Sequence, residues 1–282
     1  MDIKTVGVVG AGTMGNGIAH IFARHGFNVV LCDVERRLLD HALETIARNL
    51  DREVEKSKLT AQERSAALAR IEPAVERALL ARCDFLVEAA TEKIDIKSAL
   101  FREFDEVCRP EVILASNTSS ISITKLGALT RRPQQVIGMH FFNPVPLMKL
   151  VEVIRGLATS DETYATVKTL AERLDKVPVV VNDSPGFISN RVLMPMINEA
   201  AFAVLEGVAT PEAVDEIFKL GMAHPMGPLR LADFIGLDVC VDILRILEDG
   251  LGDPKYRPCP LLQRMVDAGW RGRKSGRGFY TY

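Results

Sequence analysis

The sequence predicts an α/β fold, a doubly wound and mostly parallel sheet domain followed by a smaller all-helical domain. Three observations carry that expectation. A short β-rich run, Ile3 with Val6, Val8 and Val9, breaks at Gly10 into Gly10-Ala11-Gly12-Thr13-Met14-Gly15 and continues into helical periodicity. Strand-like and helix-like segments then alternate as far as Val181, the rhythm of a parallel sheet with crossover helices. From Asn182 onward only helix signals remain. The expected domains are residues 1–183, with an inserted helical hairpin at about 35–71, and residues 184–282.

The first strand, turn and helix form a G-x-G-x-x-G unit with a mechanical meaning. Gly10 permits the tight turn, Gly12 lets backbone approach a pyrophosphate, and Gly15 lets helix pack on strand. The phosphates would sit on the helix N-terminus, where unpaired N–H groups point outward. A second strand, Val29 to Cys32, ends in Asp33, about twenty residues beyond the glycines, where an acid can accept from both ribose hydroxyls. Asp33 would also repel a 2′-phosphate, which favours NAD over its phosphorylated form, although Arg36 and Arg37 stand close by in sequence.

Glu35 to Lys56 is helical in period and leaves Arg48, Arg52 and Lys56 on or near one face. Thr60 to Glu63 is a capping box opening a helix toward Ile71, so the two segments form a hairpin whose Lys56, Lys58, Arg64 and Arg70 could meet an anionic ligand or simply face solvent. Beyond it come a strand at Phe85 to Val87, a helix from Lys93 to Cys108, a strand at Val112 to Ala115, a short helix from Ile121 to Leu129 and a strand at Val136 to Met139. Lys149 to Ile154 reads as extended, Asp161 caps a helix to Leu174, and Val177 to Val181 closes the series. The remainder gives helices at Phe187 to Glu206, Thr210 to Gly221, Leu229 to Phe234, Leu237 to Asp249 and Pro260 to Ala268. Their surplus apolar faces suit core packing or subunit association.

Placed on this scheme, the glycine run, Asp33, Glu88 and Glu92, Ser116 to Ser120, and His140 all follow strands. In an open α/β sheet the carboxyl edge is where ligands bind, so residues far apart in sequence converge on one crevice.

Composition narrows the function classes. The chain has 282 residues, a formal net charge of -2, 48% hydrophobic and 26% charged residues, a balance that favours neither disorder nor a nucleic-acid partner. No apolar run approaches the roughly twenty residues of a bilayer span, and the first strand begins too early to leave room for a signal peptide, so a cytoplasmic location is expected. The five cysteines are scattered, with no C-x-x-C pair, which points to buried free thiols rather than a disulfide framework or a zinc site. No cluster of His, Asp and Glu has metal-ligand spacing.

The run Gly138-Met139-His140-Phe141-Phe142-Asn143-Pro144-Val145-Pro146, continued by Leu150-Val151-Glu152-Val153, resembles the signature of the L-3-hydroxyacyl-CoA dehydrogenases, particularly the bacterial 3-hydroxybutyryl-CoA enzymes. So do Ser116-Asn117-Thr118-Ser119-Ser120, Asp183-Ser184-Pro185-Gly186-Phe187 and Lys274-Ser275-Gly276, and the likeness spans essentially the whole chain. The resemblance implies a Rossmann-type domain, a helical domain that pairs in a homodimer, NAD(H) as cofactor, and reversible oxidation of a 3-hydroxyacyl-CoA to the 3-ketoacyl-CoA, an oxidoreductase step of fatty acid metabolism.

Carried over by position, the resemblance makes His140 the catalytic base, Glu152 its carboxylate partner, and Ser119 and Asn190 the substrate-contacting hydroxyl and amide. The cofactor positions are Gly10, Gly12, Thr13, Met14, Gly15, Asp33, Glu92, Lys97, Ser119, Asn143 and Lys274. For coenzyme A, Lys56 stands where the family has a basic residue, and Asn49 where it often has a serine.

Elementary chemistry agrees. Oxidising a secondary alcohol requires a proton acceptor that works in both directions near neutrality, the range of histidine. A nearby carboxylate would fix the tautomer and stabilise the imidazolium, a role open to Glu152. Phe141, Phe142 and Phe234 are candidates for an acyl pocket wall, core packing being the alternative. Two other readings stay open: a dehydrogenase of a free 3-hydroxy acid, and a non-catalytic dinucleotide-binding protein on the same scaffold.

Overall fold

In the computed structural model, which describes residues 2–282, the chain divides into two compact units, Met1–Asp183 and Ser184–Tyr282. The first unit alternates β1 (Thr5–Val9), α1 (Thr13–Arg24), β2 (Asn28–Cys32), α2 (Arg36–Glu55), α3 (Ala61–Ala69), β3 (Ile71–Ala74), β4 (Phe85–Glu88), α4 (Ile94–Val107), β5 (Ile113–Ser116), α5 (Ile123–Gly127), β6 (Val136–Phe141), β7 (Leu150–Arg155), α6 (Asp161–Arg173) and β8 (Val177–Asn182). Its eight-stranded sheet has the order β3-β2-β1-β4-β5-β6-β7-β8 among the described residues. All neighbours run parallel except β6 and β7, which are antiparallel. The order reverses between β1 and β4, and that switch point opens a crevice at the carboxyl ends of the strands.

Strand β3 was not expected. Ile71-Glu72-Pro73-Ala74 lacks alternation and holds a proline, yet it pairs with β2 at the sheet edge, the one place where a missing N–H does no harm. The preceding capping box is formed, with Glu63 N–H donating to Thr60 Oγ1 at 3.1 Å and Thr60 N–H to Glu63 Oε2 at 2.7 Å. The central strands β4, β5 and β6 are buried on both faces, which is why they read as continuous apolar runs. Ile18, Ala19 and Phe22 of α1 and Leu39, Ala42, Ile46 and Leu50 of α2 pack into the core of this unit.

The second unit holds α7 (Ser189–Leu205), α8 (Pro211–Gly221), α9 (Pro228–Ile235), α10 (Leu237–Leu251) and α11 (Pro260–Asp267). Ile197, Ala201, Leu229, Leu237, Leu244 and Leu247 form its core. No helix among the described residues is long and apolar enough to cross a membrane. The five cysteines are unpaired and buried, and burial pushes the Cys83 thiol up to about 12 and Cys32 and Cys108 to about 11, which keeps them protonated.

Candidate active site

The crevice begins with the glycine turn. Gly10 adopts φ +103°, and a Cβ there would stand 2.5 Å from the carbonyl oxygen of Ala89, so the turn presses directly on the loop after β4. A Cβ on Gly15 would lie 1.7 Å from the Gly10 carbonyl, a contact no side chain tolerates. At Gly12 a Cβ would meet no protein atom within 4 Å. Gly12 is also the N-cap of α1, without a side-chain cap or an acid in the first turn, so the N–H groups of that turn are not claimed by the protein's own carboxylates. These features fit a pyrophosphate.

Asp33, after β2, stands against the glycine turn. Its Oδ2 accepts Ala11 N–H at 2.6 Å and its Oδ1 accepts Val34 N–H at 2.7 Å. Each oxygen retains acceptor capacity for a ribose hydroxyl. Nearby, Arg36 is engaged by Asp40 at 2.9 Å and Arg37 lies 3.5 Å from Glu35.

The loops after β4 and β5 are sewn together by acids. Glu92 accepts from Thr118 Oγ1 at 2.9 Å, Ser119 N–H at 2.6 Å and Ser119 Oγ at 2.8 Å, which brings two of the expected cofactor positions into contact. Lys97, also expected there, is 2% exposed and donates to both oxygens of Glu88, at 2.6 and 2.8 Å, with Glu92 farther off at 3.6 Å. Glu88 was legible only as a polar residue ending an apolar strand; its pairing with Lys97 was not.

The expected acid–base pair lies on the antiparallel strands β6 and β7. His140 and Glu152 are directly opposed in the β6–β7 register, 9% and 3% exposed, and His140 Nδ1 is 2.8 Å from Glu152 Oε2. The Phe142 ring lies 4.7 Å from the imidazole, centroid to centroid. Phe141, one residue away, faces the opposite side and is buried in the sheet core, so it is not a wall of the acyl pocket. Strand alternation separates the two phenylalanines. Asn117, buried, accepts Phe141 N–H on its Oδ1 at 2.9 Å and so ties the loop after β5 to the residue beside His140.

Asn143 precedes a cis peptide bond to Pro144 in the loop that leaves β6. That loop is held from behind by Lys176, whose ammonium donates to the carbonyls of Val145 and Met148 at 2.6 and 2.7 Å. Burial, with Lys149 and Arg24 nearby, pulls Lys176 down to about 8. Nothing in the sequence marked this lysine, because its partners are backbone atoms about thirty residues away in an irregular loop.

On the hairpin, Lys56 is exposed at the C-cap of α2, and Asn49 Oδ1 lies 3.4 Å from Arg52. Arg64 is paired with Asp51 at 2.9 Å, an internal tie of the hairpin, and Arg70 donates to the Ala23 carbonyl at 3.2 Å, tying the hairpin to α1. Within the second unit Asn190 is buried on α7, Lys274 is paired with Asp238 at 2.6 Å, and Phe234 is 54% exposed. Arg191 donates to Ser184 Oγ at 3.1 Å. No group of three or more His, Cys, Asp or Glu among the described residues is disposed to hold a metal ion.

Residues 5–184 match the family model of the 3-hydroxyacyl-CoA dehydrogenase NAD binding domain, and residues 186–282 that of the 3-hydroxyacyl-CoA dehydrogenase C-terminal domain. The chain is 55% identical over 282 residues to a probable 3-hydroxybutyryl-CoA dehydrogenase of Bacillus subtilis, covering 100% of this chain and 98% of that protein. A 3-hydroxybutyryl-CoA dehydrogenase of Bradyrhizobium diazoefficiens is 54% identical over 280 residues, 99% of this chain and 96% of the relative. Among solved structures, (S)-3-hydroxybutyryl-CoA dehydrogenase PaaH1 from Ralstonia eutropha superposes with a TM-score of 0.97 at 52% identity, covering 100% of this chain and 99% of that one. Glycine turn, the acid after β2, opposed histidine and glutamate, and full-length similarity agree: this chain belongs to the 3-hydroxyacyl-CoA dehydrogenase family.

Proposed function

We propose that this chain catalyses the NAD-dependent, reversible oxidation of a short-chain (S)-3-hydroxyacyl-CoA to the 3-ketoacyl-CoA, with His140 as the acid-base group. The observation that carries the reading is the His140–Glu152 pair, buried and aligned across β6 and β7. With Nδ1–H directed at the Glu152 carboxylate, Nε2 is the nitrogen that takes the hydroxyl proton as the carbonyl forms and returns it in the reverse direction. Glu152 stabilises the imidazolium that results. NAD, when bound, accepts the hydrogen with its electron pair from the alcohol carbon.

The glycine turn and the first turn of α1, with Thr13 and Met14, hold the pyrophosphate, and Asp33 the adenosine ribose. Glu92, Ser119 and Asn143 line the path toward the reacting carbon. From the second unit, Asn190 is assigned to the substrate and Lys274 to the cofactor, both on the family resemblance. Lys56, with Asn49, is assigned to coenzyme A, supported by its exposure on the hairpin. The reading includes a homodimer formed through the second unit, supported by exposed Val208, Ile217, Leu220 and Met222, and a cytoplasmic enzyme.

The test is a comparison at the NADH absorbance band. Acetoacetyl-CoA is expected to give a kcat/KM at least a hundredfold above free acetoacetate, binding energy on the nucleotide handle being used to place the small reactive end (about 3 kcal/mol at this ratio). Comparable turnover of the free acid would shift the assignment to a free hydroxy acid, and no turnover of either would remove the dehydrogenase reading.

A further inference from the structure

The buried carboxylate of Glu88 bonds several parts of the crevice at once. It ends β4 with no exposed surface, and Lys97 is 2% exposed. Burying an acid and a lysine together is not in itself a gain in stability, since an apolar pair of similar volume does as well or better. The question is what this pair does beyond filling space. Glu88 Oε1 accepts Ala90 N–H at 2.8 Å, and Oε2 accepts Ser116 Oγ at 2.7 Å. Ser116 Oγ in turn accepts Thr118 N–H at 3.2 Å, and the main-chain carbonyl of Glu88 accepts Asn117 N–H at 2.7 Å.

Each of these bonds reaches a part of the site. The Ala89–Ala90 backbone is the surface against which the Gly10 turn is pressed. Lys97, 3.6 Å from Glu92, extends the network to the acid that holds Thr118 and Ser119. Asn117 passes it on to Phe141 N–H, next to His140. The loops after β4 and β5 therefore meet at this side chain, the glycine turn packs on the first of them, and the Glu88 main-chain carbonyl carries the link on to the strand bearing the base.

We infer that Glu88 is a positioning residue of the active site: as a shared acceptor it sets the glycine turn and the Ser116–Ser120 loop relative to His140, while Lys97 supplies the counter-charge that allows a carboxylate to be buried there. The inference rests on the proposed function, because it is the dinucleotide and the thioester that would sense the alignment.

Two double variants separate alignment from charge and packing. Glu88→Gln with Lys97→Met removes both charges but keeps an acceptor for Ala90 or Ser116; Glu88→Leu with Lys97→Met removes both charges and the acceptor. Both are expected to fold, with the thermal midpoint within several degrees of the parent by circular dichroism. Because both variants lack Lys97, itself an expected cofactor position, they are compared with each other: the Leu/Met variant should bind NADH, read by fluorescence, at least tenfold more weakly than the Gln/Met variant and have a lower kcat at saturating NADH. A Leu/Met protein that binds NADH and turns over within twofold of the Gln/Met protein would overturn the inference. Should Leu/Met fail to fold, Ser116→Ala decides. It cuts only the link from Glu88 to the Thr118–Ser119 loop and leaves the ion pair in place. A rise of at least threefold in the KM for acetoacetyl-CoA with an unchanged thermal midpoint supports the role, and unchanged kinetics refutes it. The parent's own turnover of acetoacetyl-CoA reports on the function, whereas the ratio between the two double variants, or of Ser116→Ala to the parent, reports on Glu88.

Discussion

His140 and Glu152 are twelve residues apart in sequence and directly opposite each other in space, because β7 returns antiparallel to β6 and the register aligns them. Replacing His140 by Gln removes the proton acceptor and keeps an amide of similar reach. The expected result is a kcat lower by about two to four orders of magnitude with NADH affinity little changed. Glu152→Gln keeps a hydrogen-bonding partner for Nδ1 but removes the charge. A smaller loss and a displaced pH–rate profile are expected, measured as kcat against pH with acetoacetyl-CoA.

Asp33 joins the glycine turn to its own loop by accepting Ala11 N–H and Val34 N–H, and the proposed function gives its carboxylate the adenosine ribose. Asp33→Ser removes a charged acceptor worth about 1.5–3 kcal/mol, so kcat/KM for NADH should fall by about ten- to a hundredfold. The deficit of NADPH relative to NADH should narrow at the same time. Parent enzyme using NADPH as well as NADH would contradict the role given to Asp33.

Lys56 carries its charge on the exposed tip of the hairpin, well away in sequence from the glycine turn. Lys56→Ala should raise the KM for acetoacetyl-CoA several-fold and leave NADH affinity unchanged, and added salt should shrink the difference from the parent. Arg64→Ala, which breaks the tie to Asp51, should change the KM less, since Arg64 is occupied within the hairpin.

Lys176 makes a prediction about stability and pH. Burial lowers it to about 8, below the roughly 10.4 of an unfolded chain. Between those values the unfolded protein binds more protons than the folded one, so the contribution of Lys176 to stability grows as pH rises from about 8 toward 10.4 and is smallest below 8. Urea midpoints of the parent and of Lys176→Met, taken at pH 7.5 and pH 10, should diverge in the parent's favour at the higher pH. A difference independent of pH would mean that the ammonium is not desolvated.

Local patterns were readable; partnerships across the sheet were not. Gly10 to Gly15, Asp33 and His140 announce themselves because the turn, the strand end and the side chain belong to one short segment. The Glu88–Lys97 pair joins a strand to the following helix, and two opposite charges nine positions apart look like surface residues until burial is known. Phe141 and Phe142 are the same residue type side by side, yet Phe141 ends β6 in the sheet core while Phe142, just past the strand, lies against the His140 ring. Strand β3 was hidden because Pro73 contradicts the local pattern, and only its place at the sheet edge makes that residue acceptable.

That proline has a consequence for the behaviour of the molecule in company. Val29 N–H donates to the Arg70 carbonyl and Asp33 N–H to that of Ala74, so the even-numbered residues of β3 turn their backbone groups inward and Pro73 turns outward. Where another residue would offer a donor at the rim of the sheet, Pro73 offers a ring. An incoming extended chain would lack one of its rungs there, and the sheet is discouraged from growing a ninth strand in that direction, a brake on ladder-to-ladder aggregation in a crowded solution.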